Sequence, residues 1–340
     1  MPSYRSRFKK DSVDAAPVAS TSVFVDTTAS KTATASEFAD AGSSAAGSTF
    51  MTSTSSAPGN TTTLGAADGL RPNIIWIMAD DLGWGEVGLF PAKSTRGRLR
   101  TPNLDQFGRE GLVFRHAYAG YCVCAPSRMT FFTGRHSGRF KSLKVDGMSL
   151  RPGQMITFTQ LLQSAGYATA AFGKISPLTS PLEQGFDMFL GQVSQGLCHN
   201  MYPKQVDRGD GQLNFELLGN FAPKSRELCM QHPEKYNYTI DVFHEAAMSW
   251  MMRAANQSRP FFLYMSYTIP HAGGWGDSPQ MPESGQPVPL DMGYREESWP
   301  EVERDHAAVV TYMDLKVGQL MQQLKLLGID QQTICSLPAV

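Results

Sequence analysis

Charge of one sign is the first thing missing: 30 basic and 31 acidic side chains in 340 residues leave the chain near neutrality. That excludes a strongly basic surface as the basis of nucleic-acid or anionic-membrane binding. Long apolar runs are missing too, since none approaches the roughly 18–20 residues needed to cross a bilayer. The first residues, Met1 to Lys10, are basic, but no apolar stretch follows them, so no secretory signal is read there. Cysteine is scarce. Cys122, Cys124, Cys198, Cys229 and Cys335 are too few and too scattered for a disulfide scaffold. Charged residues make up only 18%. The 41% of hydrophobic residues suffices for a core, and the length fits one large or two ordinary domains.

From about Asp11 to Gly69 the chain is Ser, Thr and Ala with almost no large apolar side chains. Such a segment buries too little surface to offset its conformational entropy, so residues 1–70 are expected to be a disordered tail. The texture changes at Arg71. Asn73 to Ala79 is a continuous apolar run, the pattern of a strand buried on both faces. Thr101-Pro-Asn-Leu-Asp105 predicts a helix start, with Thr101 as N-cap and Gly111 as the stop. Thr157 to Ala165 reads as a helix ending at Gly166, and Tyr167 to Phe172 and Phe261 to Ile269 read as strands. Val310, Met313, Val317, Leu320, Met321, Leu324 and Leu327 recur every three or four residues, predicting an amphipathic helix from Asp305 closed by Gly328. Strands separated by helices imply an α/β fold around a parallel sheet. Gln192 to Tyr238 shows no period and reads as a long insertion on the ligand side.

Ligands in open α/β sheets bind beyond the carboxyl ends of the strands. The first strand ends in Asp80-Asp81, followed by Leu-Gly-Trp-Gly-Glu86. Adjacent carboxylates repel unless cations lie between them, and hard divalent ions prefer such oxygens. A helix N-cap with a solvated neighbour is the plainer alternative. The second feature is Cys122-Val-Cys-Ala-Pro-Ser-Arg-Met-Thr-Phe-Phe-Thr-Gly-Arg135. Pro126 suits the first turn of a helix running from about Ser127 through Thr133 to a stop at Gly134. Cys124 then sits at a helix N-terminus, with Arg128 one turn away. Chemistry alone leaves three readings: a low-pKa thiol, a Cys-x-Cys metal pair, or a small buried side chain.

Cys124-Ala-Pro-Ser-Arg128, followed by Thr133-Gly-Arg135, is similar to the signature of the type I sulfatases. Asp80-Asp81 ahead of Gly83-Trp-Gly85, Thr101 to Asp105, Ile269-Pro-His271 and the Asp305–Gly328 helix resemble landmarks of the same family in the same order. The resemblance runs from about residue 71 to 334. It implies an alkaline-phosphatase-like fold, a mostly parallel sheet flanked by helices, and hydrolysis of sulfate esters. It further implies that Cys124 is oxidised to formylglycine by a separate formylglycine-generating enzyme. The hydrated aldehyde offers one hydroxyl to attack sulfur and a second to expel the sulfate by elimination, which a serine lacks. One calcium ion is implied on Asp80, Asp81 and residue 124, with Arg128 beside the nucleophile. Lys174 is implied as a sulfate-binding group, and His271 as a contact to the ester or an acid for its leaving group. Many members carry a histidine two residues past the lysine. Here Ser176 stands there, and His199, in Cys-His-Asn-Met-Tyr-Pro203, resembles a histidine segment of some microbial members and is the substitute.

The family follows the long helix with a strand ending in Thr-Ser-Asp-Asn-Gly. This chain reaches Thr333-Ile334 and continues as Cys-Ser-Leu-Pro-Ala-Val340. The expectation is therefore a C-terminally truncated catalytic domain over 71–334 and an aberrant end over 335–340. The last strand would be missing, leaving an apolar edge and the Asp305–Leu327 face exposed. A sulfated small molecule or carbohydrate is the implied substrate. The rivals are phosphonate or phosphodiester hydrolysis within the superfamily, and an inactive product. Asn60, Asn237 and Asn256 begin glycosylation sequons, which with the resemblance point to a secretory or extracellular protein.

Overall fold

The computed structural model describes residues 22–23, 71–90, 98–140, 149–209, 213–216, 236–272 and 288–340. Most of the tail expected to be disordered, Asn60, Cys229 and a large part of the 192–238 segment lie outside the described residues.

Among the described residues one sheet is built from β1 (Ser22–Val23), β2 (Asn73–Asp80), β3 (Ala168–Lys174), β4 (Met188–Gln192), β5 (Gln205–Arg208), β6 (Leu213–Glu216), β7 (Phe261–Pro270) and β8 (Thr333–Ser336). Their spatial order is β1-β8-β2-β7-β3-β4-β5-β6. Pairing is parallel from β1 to β4 and antiparallel for β4–β5 and β5–β6. The helices are α1 (Pro102–Glu110), α2 (Cys124–Thr133), α3 (Phe158–Ser164), α4 (Thr239–Ala255) and α5 (Glu301–Leu326). The α/β architecture with a mostly parallel sheet is the one the sequence implied.

The sheet is covered on both faces, which explains the unbroken apolar runs. Ile75, Ile77 and Ala79 of β2 join Leu263, Met265 and Tyr267 of β7 beneath α1, α4 and α5. Met78, Phe262 and Tyr264 pack on the other face against Ala125, Met129 and Phe132 of α2.

Several boundaries move for physical reasons. Helix α2 begins at Cys124, three residues ahead of Ser127, because Pro126 is its third residue, where no intrahelical N–H is needed. Helix α5 starts at Glu301, since its polar first turn carries no apolar period. Thr101 flanks α1 without a side-chain cap bond; its Oγ1 instead accepts from the Gly88 N–H at 2.7 Å and donates to Asp105 Oδ1 at 2.9 Å. The α1 N-terminus is capped from α5, where Asp314 Oδ1 accepts from the Leu104 N–H at 2.7 Å and Oδ2 from the Asn103 side chain at 2.7 Å.

The expected loss of the last strand is overturned. β8 pairs in register with β2 from Asn73↔Thr333 to Trp76↔Ser336. The chain then keeps beside β2: the Ala79 N–H donates to Pro338 O at 3.1 Å and the Asp81 N–H to Val340 O at 2.8 Å. Cys335, Leu337 and the inward residues of α5 are buried, because apolar Ile334, Cys335 and Leu337 still satisfy the strand pattern.

Close approach of two strands makes one glycine obligatory. Gly173 has φ +100°, and a Cβ there would lie 2.0 Å from the Ser266 carbonyl oxygen across the β3–β7 pair. Gly173→Ala should destabilise the fold by at least about 2 kcal/mol, read from chemical denaturation, because backbone must move to admit the methyl. An unchanged midpoint would show that the two strands can part there freely.

Candidate active site

Asp80 ends β2, Lys174 ends β3, and His271 follows the last residue of β7. Three neighbouring parallel strands thus deliver side chains to one carboxyl edge, where the topology places ligands. The register between β2 and β7 slips after Ala79, so that Asp80 pairs with Pro270. Helix α2 brings its first residue, Cys124, to the same edge, and a turn at Leu197–His199 closes over it.

Asp80 is fully buried between two cations. Its Oδ1 accepts from Arg128 Nη2 at 3.2 Å and its Oδ2 from Lys174 Nζ at 2.6 Å. Burial pushes the Asp80 carboxyl up, but the Arg128 and Lys174 charges outweigh it and hold it below the usual carboxylate range. Burial likewise disfavours the Lys174 ammonium, and Asp80 more than restores it, so the lysine stays charged. Arg128 Nη1 also donates to Tyr264 Oη at 2.9 Å, Ser266 Oγ at 2.6 Å and the Lys174 carbonyl at 3.2 Å. One guanidinium therefore ties α2 to β2, β3 and β7.

Around Cys124, Lys174 Nζ lies 3.3 Å and Gln195 Nε2 3.1 Å from Sγ. Lys174 Nζ also donates to His199 Nε2 at 3.0 Å. The rings of His199 and His271 stack with centroids 3.9 Å apart and planes 2° from parallel. Asp81 adopts φ +60°, a left-handed conformation that Asp tolerates better than most residues. Its Oδ2 faces His271 Nε2 at 3.4 Å, and burial raises its pKa against the opposing pull of His271.

Burial, then the Lys174 and His271 charges, hold the His199 pKa down to about 3. A folded-state value below the unfolded one, about 6.5 for histidine, means that the folded form resists protonation. The stability this confers is present above about pH 6.5 and is lost as pH falls toward the folded value. In a pH titration followed by imidazole NMR, His199 should stay neutral from pH 7 to 5. A midpoint near 6.5 would remove Lys174 from its side.

All the residues expected at the site, Asp80, Asp81, Cys124, Arg128, Lys174, His199 and His271, meet here. Sequence reasoning missed Gln195, Tyr264 and Ser266. Tyr264 and Ser266 alternate along β7 on the face that α2 covers, which is a usable signal; Gln195 is a loop residue with none.

For a metal, ligand atoms of Asp80, Cys124 and His199 lie within 4.8 Å of one another. The expected calcium set was Asp80, Asp81 and residue 124, whereas the gathered set has His199 in place of Asp81. It mixes one carboxylate with a thiol and an imidazole, while Asp81 faces His271. Calcium takes about six to eight oxygens. The donors as arranged do not fit it.

A family model described as Sulfatase matches residues 72–335. The chain belongs to the sulfatase family. It is 30% identical to arylsulfatase A of Bos taurus over 305 residues, 81% of this chain and 53% of that protein. It superposes on Ps i-CgsB in complex with k-i-k-neocarrahexaose at a TM-score of 0.59 and 25% identity, covering 78% of this chain and 58% of that one. BT4656, in complex with D-glucosamine-2-N,6-O-disulfate, gives a TM-score of 0.58 at 20% identity, over 79% and 65% of the two chains. The fold of this sulfatase chain is therefore the family's alkaline-phosphatase-like one. The chain spans about half the length of the curated relatives it matches. Among the described residues no helix is long and apolar enough to cross a membrane.

Proposed function

We propose that this chain is the formylglycine-bearing part of a sulfate-ester hydrolase. The observation that carries the reading is the surrounding of position 124: a helix N-terminus, the Lys174 ammonium 3.3 Å away and the Gln195 amide 3.1 Å away, with Arg128 on the same helix. Two side-chain donors and a helix N-terminus suit an oxygen-bearing group there better than an inert thiol. Formylglycine, made from Cys124 by a formylglycine-generating enzyme, would supply the oxygen nucleophile. Lys174 and His271 bind the sulfate oxygens, and Lys174 and the helix N-terminus stabilise the charge that builds up on them. Arg128 fixes the helix and offsets the negative charge of Asp80. His199, its Nε2 3.0 Å from Lys174 Nζ, holds that lysine toward residue 124; His271, beside Asp81, is the group placed to donate a proton to the leaving oxygen.

Calcium has no part in the proposal, since the donors gathered beside Asp80 are a thiol and an imidazole and Asp81 faces His271. A sulfated small molecule or carbohydrate is the substrate class, in keeping with the sulfated sugar bound by BT4656. A secretory or extracellular route is part of the same reading, resting on the family and on sequons at the half-buried Asn237 and the exposed Asn256.

The test is conversion. Coexpressed with a formylglycine-generating enzyme, the peptide holding Cys124 should lose about 18 Da, the change from thiol to aldehyde, while Cys122 stays a thiol. An intact Cys124 beside a converted control sulfatase would sink the assignment. Comparing aryl sulfate with phosphate and phosphonate esters, using the longest natural form of the protein, then separates sulfatase from phosphonate-hydrolase chemistry.

A further inference from the structure

The trio Asp80, Cys124 and His199 differs in kind from a calcium site. We infer that, while Cys124 is still a thiol, these three side chains form a seat for a thiophilic divalent cation of the zinc class, for which the Lys174 ammonium competes. The donors come from three separate elements, β2, α2 and the Leu197–His199 turn, and all three residues are buried. One carboxylate, one sulfur and one imidazole make a set that zinc accepts and calcium does not. Zinc bonds of about 2.0–2.3 Å place tetrahedral ligand atoms about 3.5 Å apart, so atoms now within 4.8 Å need shift by only about an ångström.

A cation already occupies the middle. Lys174 Nζ sits 2.6 Å from Asp80 Oδ2, 3.0 Å from His199 Nε2 and 3.3 Å from Cys124 Sγ. The three donors are thus turned toward a common point and stabilise positive charge at it. On metal binding the Cys124 thiol gives its proton to solvent and its sulfur bonds the metal, with no change of oxidation state. Lys174 swings out with its own proton, and Asp80 keeps Arg128 as a partner. The fourth position stays open to water or an anion, as in zinc sites with three protein ligands. Oxidation of Cys124 to formylglycine removes the sulfur, so the seat belongs to the unconverted protein. The inference therefore stands apart from sulfatase turnover, and mass measurement of Cys124 tells a failed conversion from a failed seat.

The experiment titrates the 340-residue chain, made without modifying enzyme, with Zn2+ by calorimetry, and with Co2+ as the spectroscopic stand-in. Lys174→Met should bind one equivalent at least about tenfold more tightly than the unsubstituted chain, since the competitor is gone. Adding Cys124→Ser to Lys174→Met should cost about tenfold or more and remove the thiolate-to-cobalt charge-transfer band. Cys122→Ser, an exposed position, should change nothing. Circular dichroism checks that each variant is folded, and Lys174→Gln replaces Lys174→Met if that variant is not. Equal zinc affinity with and without Lys174 would overturn the competition. Zinc binding indifferent to Cys124→Ser, or calcium bound as tightly as zinc, would overturn the seat.

Discussion

Arg128→Met should cost the fold about 3–5 kcal/mol, the range for breaking a buried ion pair by removing one partner. The side chain is wholly buried, and it holds Asp80, Tyr264, Ser266 and the Lys174 carbonyl together. Methionine fills comparable space but donates nothing. Asp80 would keep only Lys174, and two hydroxyls and a carbonyl in the sheet would lose their donor. Arg128→Lys should recover little, because one ammonium cannot span β2, β3 and β7 as a planar fork does. Denaturant unfolding of the three proteins reads the effect directly. In a converted, active form of the protein the same change should lower turnover at least about a hundredfold. A stability loss under about 1 kcal/mol, the scale of a surface pair, would show that the guanidinium is not the tie between helix and sheet.

The parts of this protein that could be read from sequence are those where one periodicity decides the environment. β2 and β7 are apolar at every position because both sheet faces are covered, and α5 keeps its stripe through Leu324. Helix α4 carried a comparable signal in Ile240, Phe243, Ala247, Met251 and Ala254, all buried, but it follows an aperiodic segment that obscures its start. β4 is a five-residue strand containing Gly191, too short to be told from a loop. The site divides the same way. Asp80, Cys124 and Lys174 lie at the ends of legible elements and Arg128 lies one turn into a legible helix, so a motif could place them. The stacking of His199 on His271, and the reach of Gln195 to Cys124, depend on how a long loop folds back. No residue spacing encodes that contact. The pairing of β8 with β2 has another basis: the chain lacks the family's Asp-Asn ending, but partly buried Ile334 and buried Cys335 and Leu337 suffice to hold the strand beside β2.

Calcium should bind the 340-residue chain no more tightly than about millimolar, roughly a thousandfold weaker than the micromolar sites that rigid oxygen cages provide. Among the described residues Asp80 and Asp81 are the carboxylates that this edge presents beside Cys124, and neither is offered to an ion. To reach Asp80 a calcium ion must displace the Lys174 ammonium, which Asp80 itself holds charged against the effect of burial. Asp81 is half exposed and leans on His271. The side chains gathered with Asp80, Cys124 and His199, offer a sulfur and an imidazole nitrogen, which calcium takes poorly. Water would have to fill the remaining coordination sites, and water ligands add little affinity over the hydrated ion. Lys174→Met should relieve only the competition and leave the shortage of oxygens, so calcium affinity should rise far less than zinc affinity does. Calorimetric calcium titration of the unsubstituted chain decides the matter. Micromolar affinity there would mean that side chains outside the described residues complete an oxygen cage and that Lys174 yields its place readily.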